Sequence, residues 1–156
     1  MNQIFISSQL GVNQAMQALI GLDLDKSYLF RLEEHKADRT LAQNNLYWGW
    51  IKYISDQTGE SEGDLHFNLR KDFLSRIYLK DAKNAAQREW VDEMIYVSEL
   101  NDAYLTLRCF KRLSTTFANT AQFSEYLNLI DKYFTSNGVQ LPKPEDEYMQ
   151  AMGRRR

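Results

Sequence analysis

Two prolines and seven glycines in 156 residues leave little material for an all-β fold or for long loops, both of which usually use more turn formers. No apolar run approaches the ~20 residues of a membrane-spanning helix, so no membrane association is expected. The N-terminus has no basic stretch followed by an apolar one, and no secretory leader is expected. A single cysteine, Cys109, excludes an internal disulfide and suits a reducing cytoplasm. It reads as a packed apolar residue rather than a catalytic thiol. Two histidines cannot support a paired metal-ligand motif or a Ser-His-Asp arrangement, and no glycine loop for phosphate is present. Neither a metal nor a cofactor is therefore expected. Asp72, Asp81, Asp92 and Glu93 are acids without a spacing that assembles a metal-dependent nuclease, so the chain does not read as an enzyme. A basic excess is missing too. With a formal net charge of −2, any nucleic-acid site has to be a local patch.

What is present is enough chain for one domain with a real core, expected to span 1–156, and a high aromatic content of 13%. Three tryptophans and nine tyrosines fit a stacking surface, a large dimer interface or a well-filled core, and composition does not choose among them.

The hydrophobic spacing predicts a mainly α-helical domain with a small N-terminal two-strand β element. The strands are residues 3–7 and 27–34, with a helix between them over 8–22 whose stripe is Val12, Ala15, Met16 and Leu19. Ser61 is a cap for a helix over 62–75 that buries Leu65, Leu69 and Phe73. The lone His66 in it reads as a partly exposed or core histidine, and 75–80 is ambiguous. Residues 81–100 read as an amphipathic helix on Ala86, Trp90, Met94 and Val97, and 101–113 as a second piece with Tyr104, Leu105, Cys109 and Phe110 on one side. Asn119 with Gln122 three residues later opens a helix on Phe123, Tyr126, Leu127, Ile130 and Phe134, which Asn137-Gly138 ends. An extended connector over 139–144 leads to a short helix over 145–152.

The stretch around which the rest is organised runs from Lys36 to Gly59. Thr40 and Gln43 form a capping box, and Gly59 supplies a left-handed C-cap. Gln43, Tyr47, Trp50, Ile51 and Ile54 make a core-facing stripe. Leu41, Asn45, Trp48 and Lys52 lie on another face, roughly 120° away at about 100° per residue. An Asn, a Trp and a Lys side by side suit stacking a base, hydrogen-bonding it and holding its phosphate. The same Trp48 also suits packing against a second element or a partner subunit, which spacing alone favours. Two further features have paired readings. Arg108, Lys111 and Arg112 either answer the negative end of their helix or contact phosphate. Gly153 opens a basic tail, expected to be flexible, in which Arg154, Arg155 and Arg156 are either ballast or an electrostatic hook. The hydroxyls of Ser114-Thr115-Thr116 are also placed to meet phosphate.

Two blocks resemble the NinB (Orf) family of phage and prophage recombination proteins. The first is Asp38-Arg39-Thr40-Leu41-Ala42-Gln43-Asn44 followed by Trp48. The second is Ser114-Thr115-Thr116, then Gln122-Phe123-Ser124-Glu125-Tyr126-Leu127, Ile130, Gly138-Val139, Pro142 and Pro144. Together they cover about a third of the chain, and 60–113 matches little beyond being helical. The resemblance implies a non-catalytic recombination mediator: a cytoplasmic homodimer in a bacterial host cell that binds single-stranded DNA with little sequence preference and contacts the host single-strand-binding protein. The residues expected to bind DNA on that function are Arg39, Gln43, Asn45, Trp48, Lys52, Arg108, Lys111, Arg112, Arg154, Arg155 and Arg156. The alternative function is a protein-interaction adaptor for a host single-strand-binding or recombination protein, with weak DNA contact.

Overall fold

The computed structural model describes residues 9–30 and 40–153. Contacts divide the chain into two compact units, Met1–Lys36 and Ala37–Arg156. The first unit contains α1 (Gln9–Ile20), which buries Gly11 and Ala15. Of the expected stripe only Ala15 is buried, while Met16 and Leu19 are exposed. No strand occurs among the described residues, so the two-strand element is unsupported. Residues 27–30 are irregular, and 3–7 and 31–34 lie outside the described residues. Leu29 and Phe30 are exposed, so the burial that makes such residues favour strands is absent at this point.

Among its described residues the second unit is built from helices and short connections, with no strand. It comprises α2 (Leu41–Thr58), α3 (Glu62–Leu69), a π-helical turn at Arg70–Leu74, α4 (Ser75–Lys80), α5 (Ala85–Glu99), α6 (Ala103–Arg112), a 3₁₀ turn at Thr115–Phe117, α7 (Thr120–Ser136) and α8 (Glu145–Ala151). Local chemistry sets most of the boundaries. Thr40 and Gln43 close their capping box at 3.1 and 3.2 Å, and Gly59 adopts φ 75° to end α2. Ser61 accepts from the Asp64 N–H to start α3, and Asn119 accepts from that of Gln122 to start α7. Helix α5 begins at Ala85 rather than near Asp81, because Asn84 is the residue that accepts from the Gln87 N–H. The ambiguous 75–80 segment is helical, continuing α3 through the wide π turn without a break.

The core lies between α2, the α3–α4 segment, α5 and α7. Tyr47, Ile51 and Ile54 share one buried cluster with Tyr78, Phe123, Tyr126, Leu127 and Ile130, and each such buried side chain contributes roughly 1.5–3 kcal/mol. Two of the three tryptophans belong to it. Trp50 donates its indole N–H to the Pro142 carbonyl at 2.6 Å, and Trp90 to that of Cys109 at 3.0 Å. One core expectation fails: Tyr104 is exposed on α6, where Cys109 is the buried residue.

Candidate nucleic-acid interface

Trp48 is the tryptophan that the core does not use. It stands one residue past the fully buried Tyr47 on α2, and that 100° step carries it to the surface, where it is 41% exposed. One side of the indole is supported. Its ring lies 4.8 Å from the His66 ring at an interplanar angle of 36°, and the Tyr47 ring meets it edge-on at 5.3 Å. His66 is held in turn by a 2.7 Å hydrogen bond between its Nδ1 and the Tyr47 hydroxyl, which also meets the Tyr126 hydroxyl at 3.2 Å. A buried chain of tyrosines thus fixes the histidine that braces the tryptophan. The indole N–H has no protein acceptor among the described residues. Asn45 and Lys52 are exposed on the same helix, and Lys52 has no ion pair among the described residues.

The contact between Trp48 and His66 brings α3 into the group. One turn after His66, Arg70 is half-buried. Its Nε donates to the His66 carbonyl at 3.1 Å and its Nη1 to the Leu113 carbonyl. Leu113 follows directly on α6, so the exposed cations at its C-terminus adjoin the same region. Lys111 has no ion pair among the described residues, whereas Arg112 is held by Glu93 at 2.8 Å. After Leu113 comes the hydroxyl loop. Ser114 Oγ accepts from the Thr116 N–H and meets the Thr116 hydroxyl at 2.7 Å, while Thr115 turns inward and is buried. The Tyr78 hydroxyl fastens the loop by donating to the Ser114 carbonyl.

Not every residue of the expected DNA-binding set belongs here. Gln43 is a correction: it is 0% exposed, and its amide nitrogen donates to the Thr120 carbonyl, Ser124 Oγ and the Ala151 carbonyl at 2.9–3.1 Å. Such a side chain has no free donor for a base; it is a brace between helices. Arg108 lies over the Tyr104 ring at 5.9 Å, and no hydrogen bond, ion pair or ring contact among the described residues links that pair to Trp48. Arg39, Arg154, Arg155 and Arg156 lie outside the described residues. Sequence spacing, for its part, misses His66 as the support of Trp48, and Arg70 altogether. The stripe Leu65, Leu69, Phe73 draws attention to the apolar face, and nothing in it signals which polar neighbour reaches across.

Among the described residues no group of three or more His, Cys, Asp or Glu side chains is placed to hold a metal ion. No helix among them is long and apolar enough to cross a membrane. Cys109 is buried, and burial together with Glu93 pushes its thiol up to about 11, against a smaller opposing pull from Arg112. It therefore stays a protonated thiol near neutral pH and is a poor nucleophile. Burial, reinforced by Tyr47, likewise raises the Tyr126 hydroxyl well above the usual tyrosine range. No family model matches the chain, and neither a curated protein nor a solved structure matches it.

Proposed function

We propose that this chain binds single-stranded DNA with little sequence preference, in the manner of the NinB-type recombination mediators that its two sequence blocks resemble, and that it carries out no catalysis. The observation that carries the reading is Trp48, an exposed indole braced by His66, with Lys52, which has no ion pair among the described residues, one turn along α2. A stacking platform beside a cation is what sequence-independent single-strand binding needs, since every base offers a π-face and every phosphate a charge. A fluorescence-anisotropy titration with labelled single- and double-stranded oligonucleotides over a salt series tests it. Preferential single-strand binding that weakens with salt is expected, and a slope near zero removes phosphate contacts from the reading.

The proposal includes a homodimer in the cytoplasm of a bacterial host. The exposed Leu10, Met16, Leu19 and Ile20 of α1 support it, being apolar surface of a kind that monomers rarely leave in one stretch. Sedimentation equilibrium should give twice the 18.4 kDa chain mass, and the single-chain mass at tens of micromolar would remove it. A second reading, an adaptor for a host single-strand-binding or recombination protein, draws on Ile95, Tyr96, Leu100, Tyr104 and Leu107, all exposed on the α5–α6 hairpin. It gains if the chain captures such a protein while the oligonucleotide titration stays flat.

A further inference from the structure

We propose that Arg70, a residue outside both family-like blocks, is a phosphate-binding residue that joins the Trp48 platform to the hydroxyl loop after α6; this rests on the single-strand reading above. The guanidinium has five N–H donors in a fixed fork. Two are used, one on the His66 carbonyl and one on the Leu113 carbonyl. The other three have no protein acceptor among the described residues, and no carboxylate pairs with Arg70 there. Burying part of a guanidinium costs free energy unless its donors and charge are answered, and here two carbonyls answer only part of it. The two carbonyls that Arg70 holds belong to two segments already suited to a strand.

On one side the carbonyl that Arg70 holds belongs to His66, whose ring braces Trp48. On the other side the held carbonyl precedes the Ser114 and Thr116 hydroxyls and follows Lys111. A strand with one base on Trp48 therefore meets, one helical turn along α3, a planar fork that matches the geometry of a phosphate. The backbone there is also unusual. Arg70 opens a π-helical turn, with the Ser75 N–H bonding back to the Arg70 carbonyl five residues earlier, and such wide turns are frequent at functional sites.

The test uses Arg70→Gln and Arg70→Lys in the full chain, with a fluorescein-labelled oligo-dT of about 20 nucleotides. Melting curves are recorded beside salt-dependent anisotropy titrations. Arg70→Gln should weaken binding roughly tenfold at low salt and flatten the slope of log affinity against log salt by about 0.7, the share of one phosphate. Arg70→Lys should keep the slope and still lose affinity, since an ammonium offers no bidentate fork. A lowered melting temperature with unaltered slope and affinity makes Arg70 a clamp between α3 and α6 and overturns the proposal. If Arg70→Gln does not fold, Arg70→Lys decides: affinity equal to that of the unaltered chain overturns it. Salt-independent binding by the unaltered chain sinks the single-strand reading instead, before either variant is considered.

Discussion

Helices α2 and α7 are built alike at their starts and differ on their outer faces. Each opens with a capping box whose third residue is a glutamine, Gln43 in one and Gln122 in the other. Both glutamines are buried, and both continue past the cap to bond elsewhere in the core. Gln43 ties α2 to the first turns of α7 and the end of α8, while Gln122 reaches the Asp81 carbonyl and exchanges amide hydrogen bonds with Gln87 of α5. The helices meet at the Tyr47 and Tyr126 hydroxyls. Outside, they part company. On α7 the carboxylates are answered, Glu125 by Lys80 at 3.8 Å and Asp131 by Lys143 at 2.7 Å. On α2, Lys52 has no ion pair among the described residues, as Lys132 has none on α7, and Trp48 is the exposed ring that His66 braces. A motif common to both helices is thus a structural device, and the candidate site is found where the two differ.

The largest expected effect breaks the shared half of the comparison. Gln43→Ala removes a side chain whose two amide hydrogens are shared among three acceptors in the core and whose oxygen caps its own helix, and it leaves buried acceptors without partners. A loss of roughly 3 kcal/mol in urea denaturation is expected, with single-strand affinity of the folded protein unchanged. Gln122→Ala should cost less, because Gln87 keeps its bond to the Phe117 carbonyl. If Gln43→Ala is nearly neutral in stability yet abolishes DNA binding, the assignment of Gln43 as an internal brace fails.

These two glutamines also show what the chain reveals on its own. Their capping role is local, set by a Thr or Asn three residues earlier, and spacing finds it. The other partners of Gln43 lie 77, 81 and 108 residues away, and nothing within one helix encodes them. The same division holds elsewhere. The stripes Tyr47–Ile51–Ile54 and Phe123–Tyr126–Leu127–Ile130 are legible because burial repeats at helical period. The π turn at Arg70 is not: its extra residue moves the buried position from Phe73 to Leu74, and in the sequence Phe73, four residues after Leu69, continues the stripe just as regularly. Trp48 was legible as off the core stripe. Its support by His66 depends on how α3 packs across α2, and spacing is silent on that.

Trp48→Ala sharpens the outer half of the comparison. A stacking contact is worth about 1–3 kcal/mol, so single-strand affinity should fall roughly 5- to 150-fold. Because the indole is substantially exposed, the melting temperature should drop far less than for a core tryptophan, whose truncation costs roughly 3–5 kcal/mol. A destabilised variant whose folded fraction binds normally would make the face structural, and would move the search to Arg108 and Lys111.

The smallest effect distinguishes an open charge from an answered one. Lys52 and Lys80 are both exposed, but Lys80 lies within 3.8 Å of Glu125 and Lys52 has no such partner among the described residues. If Lys52 holds a phosphate beside the Trp48 platform, Lys52→Ala releases one fewer counterion on binding and flattens the salt slope by about 0.7. Lys80→Ala should leave both slope and low-salt affinity near those of the unaltered chain, since the change frees a carboxylate on the α7 side instead. Neither substitution should alter stability by more than about 0.5 kcal/mol, because exposed charges contribute little to folding. Equal slopes for the two variants would mean that binding follows total charge rather than the α2 face. The contrast between the helices would then stop at their packing.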